Sequence, residues 1–358
     1  MTTTTTRPTR RSLATPAQPR TAPPWIWSVL GAVAVWLTIV AIGGGSGWNA
    51  LSQVLTLAPF LVLVGIGQML VITLGPGNID VSVGAVVSLA SYVSVIAAAA
   101  TGSAVLGLLV GAAAGGAVGA ASSLSIIALR VPPIIATLAT SLIAASVTSV
   151  LADGMAAHPD AGLRAFVNHR VAGVPLLAIA VALLTVAVAW ALRRTVYGRS
   201  VLATGQNATA AGKAGIPVGT TRAATYVLSG VTAGLAGSLL AAFISPAQNL
   251  GSSYLLDSVA VVVIGGTLIA GGRAVPAGLW GGALFFSLLS GLLNLVGWSV
   301  GAQNILKGVL VVLVVVISAG PLLRRRRSTP TTIAPTTQTP SGADPRPETT
   351  PTEGEPRG

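Results

Sequence analysis

The sequence predicts an all-α integral membrane protein of about ten transmembrane helices, with one or two of them broken and both termini in the cytoplasm. Three observations predict it: the ratio of apolar to charged residues, a succession of membrane-length apolar runs, and arginines that favour one set of the connections between them. Of 358 residues, 53% are hydrophobic and 8% charged, with a mean hydropathy of +0.82. Soluble domains carry roughly a quarter charged residues, so an ordinary soluble enzyme is excluded. Only helices or closed barrels satisfy backbone polar groups in lipid, and these runs are continuous where barrel strands would alternate.

The expected spans lie near 25–43, 53–74, 81–100, 104–129, 134–152, 173–192, 223–243, 257–270, 277–297 and 303–323. They make residues 25–323 a transmembrane domain. Residues 1–24, with a threonine run, prolines and four arginines, read as a disordered cytoplasmic tail, and residues 324–358 as a basic and then Pro/Thr-rich one. The net charge of +12 would suggest nucleic acid in a soluble protein. Here the basic residues sit in tails and connections, so the expected partner is the bilayer and not nucleic acid. With both ends inside, the inner side receives Arg130, the loop carrying Arg193, Arg194, Arg199, Lys213 and Arg222, Arg273, and Arg324 to Arg327. The outer side keeps Arg164, Arg170 and Lys307, in agreement with the positive-inside bias. Helices gain no hydrophobic drive to associate in lipid, so small residues must let backbones approach. Gly107, Gly111, Gly115 and Gly119, then Gly230 with Gly234 and Gly278 with Gly282, are expected packing seams.

Charge inside the folded unit is scarce enough to need a reason at each position. Asp153 and Asp160 fall in the expected outer loop. Asp80 follows Gly75-Pro76-Gly77, where proline and glycine must end a helix. Its carboxylate is expected to cap the next helix by accepting from the amides of Ser82 and Val83, with solute contact the alternative. Asp257, after Gly251-Ser252-Ser253-Tyr254, reads as a second N-cap. Beyond it, Gly265-Gly266 and Gly271-Gly272 interrupt an apolar stretch, giving one interruption in each half of the chain. Paired interruptions point to a transport site. Gly84, Ser88 and Ser91 share one helical face, and Thr137, Ser141 and Thr148 another. Asp80, Ser88, Ser91, Thr137 and Ser141 are therefore candidate solute-path residues, although such hydroxyls also serve neighbouring helices. Tyr92, Phe243 and Phe286 are weaker candidates for stacking on a ring. With no cysteine and two histidines, His158 and His169, no metal site is expected.

The inner loop holds Asn207-Ala208-Thr209-Ala210-Ala211-Gly212-Lys213-Ala214-Gly215-Ile216, a short capped helix ended by glycine, offered to the cytosol as a docking element. The segments NIDVSVG (Asn78 to Gly84), YGRSVLATGQNATAAGKAGI (Tyr197 to Ile216), YVLSGVTAGLAG (Tyr226 to Gly237) and LDSVAVVVIGGTLIAGG (Leu256 to Gly272) resemble ribose-type permeases of bacterial ABC importers, in that family's order over about residues 50–320. Pro76 and Asn78 depart from the family's Gly-Gly-Ile-Asp-Leu-Ser-Val-Gly element. The resemblance implies a multi-pass permease of the bacterial inner membrane that moves a sugar or sugar-like solute. It also implies as partners a second permease, identical or paralogous, a two-domain ATPase and an extracytoplasmic solute-binding protein. Gly198, Asn207, Ala210, Ala211, Gly215 and Ile216 would belong to the ATPase-coupling loop. The chain has no Gly-x-x-x-x-Gly-Lys-Ser/Thr phosphate loop, so it is expected to bind no cofactor and to be no enzyme, ATP and magnesium residing on the partner. Within the resemblance, a permease for branched-chain amino acids or nucleosides is the neighbouring reading. An ion-coupled secondary transporter, the reading from another class, would need intramembrane ion relays, for which only Asp80 and Asp257 are available.

Overall fold

The computed structural model describes residues 25–43, 47–154 and 158–325. The two expected tails lie outside these residues, apart from the last turn of the final helix. Thirteen helices are described: α1 (Trp25–Ile42), α2 (Gly47–Thr73), α3 (Val83–Thr101), α4 (Ala104–Ala128), α5 (Pro133–Asp153), α6 (Ala161–Asn168), α7 (Leu176–Arg194), α8 (Val196–Gln206), α9 (Ala208–Lys213), α10 (Val218–Ile244), α11 (Tyr254–Ile264), α12 (Pro276–Leu295) and α13 (Val300–Arg325). A two-residue hairpin, β1 (Arg170–Val171) and β2 (Val174–Pro175), separates α6 from α7. The described residues up to Ser318 form one compact unit.

Eight of the described helices are long and apolar enough to cross a membrane. Two shorter apolar stretches, Tyr254–Ile264 and Val300–Leu313, occupy the expected positions 257–270 and 303–323. At 1.5 Å per residue, the 11 residues of α11 reach about half of a hydrocarbon core some 30 Å thick. It is a half-span, as the glycine interruptions imply.

α2 is the axis of the bundle. Residues 58–75 are buried without exception, and α1, α7, α8, α10, α11 and α12 all pack on it. A helix apolar on every side is stable only in such a central place. The glycine seams form as the spacing predicts. A methyl group on Gly115 would overlap the Gly230 carbonyl, and one on Gly119 the Tyr226 carbonyl, so α4 and α10 run backbone against backbone. Gly278 and Gly282 do the same for α12 against Gly265 and Val261. Lipid-facing surfaces remain apolar, as on α5, where Ile135, Leu142, Ile143 and Val150 are exposed.

One expectation is corrected here. Asp257 is not an N-cap: the Gly251-to-Tyr254 turn starts α11 three residues earlier, at Tyr254, and the Asp257 amide already bonds the Ser253 carbonyl at 3.0 Å. Its carboxylate is left free to pair with Lys307 on α13, at 3.1 Å. In the 195–222 connection, moreover, the helix expected at Asn207 to Ile216 is preceded by a longer one, α8, whose N-cap Thr195 accepts from the Gly198 amide at 3.0 Å.

Candidate functional site

The first interruption joins α2 to α3 around a buried carboxylate. One oxygen of Asp80 accepts from the Ser82 amide at 3.0 Å and from the Ser82 hydroxyl at 2.6 Å, and the other from Ser229 of α10 at 2.7 Å. Asp80 stands two residues outside α3 and reaches the Ser82 amide; no bond to the Val83 amide is formed. It does the work of a cap and adds a strut to α10. Asn78 beside it donates to the Gly75 carbonyl at 3.1 Å and accepts from Tyr226 at 3.3 Å. Thr137 of α5 accepts from the Val81 amide at 3.1 Å and donates to the Pro133 carbonyl at 2.9 Å. Two helices, α5 and α10, thus clamp one turn.

Of the other proposed path hydroxyls, Ser88 and Ser91 are also engaged. Ser88 accepts from the Gly251 amide at 3.0 Å and so pins the 245–253 segment to α3, while Ser91 donates to the Ser88 carbonyl at 2.6 Å. Ser141 is half-buried, and the polar face of α5 turns through Thr137, Thr140 and Thr148 instead. Tyr92 and Phe286 are buried in the core, and the half-buried Phe243 packs on Phe60 with ring centroids 5.7 Å apart.

The second interruption meets the first. Gly271 and Gly272 adopt φ of +82° and +75°, and Gly75 +121°, a region open to glycine and strained for other residues. The Gly272 amide donates to the Thr73 carbonyl at 2.9 Å. A methyl on Gly271 would overlap Gly75, and one on Gly205 of α8 would overlap both Thr73 and Gly272. The helix that leads to the docking element is therefore in backbone contact with both interruptions. Gly265 and Gly266 complete the second one, where Arg273 donates to the Gly266 carbonyl at 3.0 Å.

The docking element has the expected caps. Asn207 accepts from the Ala210 amide at 2.9 Å, and Gly215, at φ +84°, lets the Ile216 amide return to the Ala211 carbonyl at 3.0 Å. Asn207, Ala210 and Gly215 are exposed, Ile216 half-buried and Ala211 buried, so the surface on offer is the Ala210, Lys213 and Gly215 side. Behind it Gly198 lies against Leu192, and Tyr197 bonds Thr225 at 2.9 Å. Burial holds the Tyr197 phenol above its usual range, partly countered by that bond, so the contact stays neutral at physiological pH.

One polar cavity lies where sequence reasoning placed only a cap. It measures 560 Å³ and is lined by Asn249, Ser252 and Ser253 of the 245–253 segment, Asp257 of α11, and Gln303, Asn304 and Lys307 of α13. The signal that could have found it was Lys307, the lone cation inside an otherwise apolar run, which demanded a carboxylate partner. No group of three or more His, Asp or Glu side chains that could hold a metal ion occurs among the described residues.

A family of permease components of branched-chain amino-acid transport systems matches residues 50–316. The chain belongs to this permease family. It is accordingly a multi-pass membrane protein of the ABC-importer permease class. The permease is 36% identical over 157 residues to the ribose import permease of Bacillus subtilis, covering 44% of this chain and 49% of that one. It is 33% identical over 147 residues to the galactose/methyl galactoside import permease of Escherichia coli, 40% of this chain and 44% of the other. Over those relatives the permease thus spans about half their length. A probable ABC transporter permease of Sinorhizobium fredii is 30% identical over 300 residues, 82% of this chain and 89% of that one. No solved structure matches the permease.

Proposed function

We propose that the chain is the permease subunit of an ATP-driven importer for a sugar-like solute, and that the solute passes through the cavity beside Asp257 and Lys307. One observation carries the reading: seven polar side chains converge on one 560 Å³ space in a chain with 8% charged residues. Its size lies within the range of small-molecule sites. A neutral polyol needs paired donors and acceptors, and amides (Asn249, Gln303, Asn304), hydroxyls (Ser252, Ser253) and a compensated ion pair supply both without fixing net charge. The names of the ribose and galactose relatives support the solute class. Ser88, which holds the 245–253 segment, acts through positioning. Energy would come from ATP and magnesium on a partner ATPase docked at Ala210 and Gly215, with a second permease copy or paralogue and a solute-binding protein completing the assembly in the bacterial inner membrane.

The test is uptake of labelled ribose and galactose into vesicles holding the permease with its ATPase and binding protein. Asn249→Ala with Gln303→Ala is expected to lower uptake about five- to 150-fold at normal protein levels, since each lost hydrogen bond removes about 0.5–1.5 kcal/mol. Unchanged uptake of every sugar tried would move the path elsewhere. The membrane ion pair is also what an ion-coupled transporter would use. Uptake that persists without ATP and stops on adding a protonophore would favour that second reading.

A further inference from the structure

We infer that a second cavity, at the end of the bundle where α2 stops, binds the phosphate group of an anionic phospholipid. It measures 420 Å³ and lies between Pro76 and Asn78 of the first interruption, Arg130 in the α4–α5 turn, and Gly219 and Arg222 in the first turns of α10. Two guanidinium groups share it, and neither has a hydrogen-bond or ion-pair partner among the described residues. Asp257 with Lys307 is the only ion pair described, and Arg222 Nε is buried with no acceptor. Arg222 is half-buried with its Nε shielded from water, and Arg130 is exposed, so the two present unneutralised positive charge to an anion from outside the chain. The cavity lining contains no carboxylate to supply it.

Three further features specify the anion. Arg130 sits at φ +55°, a left-handed conformation that costs energy for arginine and persists where surrounding structure enforces it. Gly219 brings the first turn of a 27-residue helix, where backbone amides lack intrahelical acceptors and the dipole favours negative charge. Two guanidinium forks can each pair bidentately with an oxyanion, and phosphate has oxygens enough to engage both at once. The remaining wall is apolar, Ile126, Ile127 and Val131, and continues to Ile127 and Leu129 exposed on the flank of α4. A head group in the cavity would leave its acyl chains over those side chains. The charge bias assigns this end to the cytosolic leaflet, where anionic lipid attracts arginine. Bound phosphate would tie the α4–α5 turn and α10 to the first interruption through Asn78.

The test follows thermal unfolding of the purified permease in neutral detergent with added phosphatidylglycerol, phosphatidylcholine or inorganic phosphate. Phosphatidylglycerol is expected to raise the midpoint by several degrees and phosphatidylcholine to do nothing. The shift should vanish in the Arg130→Gln/Arg222→Gln variant and fall by about half in Arg130→Gln alone, the fallback should the double variant fail to fold. A shift produced by inorganic phosphate but not by phosphatidylglycerol, and lost with the arginines, would keep the phosphate site and overturn the lipid as its source. Equal shifts in wild type and Arg130→Gln, or none in wild type, would overturn the site. So would a defect confined to retention of the ATPase, which would assign the arginines to an acidic side chain of that partner.

Discussion

Gly205→Val should give a permease that inserts in the membrane and transports nothing. The new side chain would occupy the space of the Thr73 carbonyl and the Gly272 backbone, which belong to different interruptions and are hydrogen-bonded to each other at 2.9 Å. No rotamer relieves a Cβ that overlaps backbone, so α8 must leave the bundle or the two interruptions must part. Overpacking at a tight site costs about 1–3 kcal/mol and here should reach the top of that range. Gly212→Ala is the control from the same connection, because its methyl would meet only Val218, at 4.0 Å. Uptake and stimulated ATP hydrolysis in reconstituted vesicles, with unfolding midpoints in detergent, decide the matter. Full uptake by a well-expressed Gly205→Val protein would show that α8 does not transmit motion through these glycines.

Asp80→Ala should be the more destabilising of two substitutions that separate a structural carboxylate from a solute contact. It strands the Ser82 amide, the Ser82 hydroxyl and the Ser229 hydroxyl at once, all of them buried. Leaving a buried donor without its acceptor costs about 1–3 kcal/mol, and because the three donors share one site the total should be about 3–5 kcal/mol. Asp80→Asn keeps an oxygen for Ser82, and Ser229 can rotate to accept from the new amide. That variant should keep most uptake, with a midpoint far closer to wild type. Abolished uptake in a stable Asp80→Asn protein would place the solute against this side chain and reverse the structural reading.

The sequence by itself determined the spans, where they break and the capped ends of the docking helix. Membrane-length apolar runs required helices, because lipid offers no other partner to the backbone. Gly75-Pro76-Gly77 and Gly265 to Gly272 had to end them, and Asn207 with Gly215 set both ends of the docking helix. Four-residue glycine spacing marked packing seams on α4, α10 and α12, since small residues repeated on one face let backbones approach closely. Only the tertiary structure decided which seams and side chains meet. Asp257 and Lys307 are fifty residues apart, and no local rule joins them. A carboxylate after a Ser-Ser turn looks like a cap until the turn is seen to start its helix three residues sooner. The convergence of Gly75, Gly205 and Gly271 is likewise invisible in sequence, as each glycine has a sufficient local reason to be one. Most decisive was the fate of the hydroxyl groups: Ser88 and Thr137 lie on polar faces by spacing, yet they hold backbone amides of neighbouring segments. A buried amide without an acceptor costs more than a solute-facing hydroxyl gains, so that demand is met first.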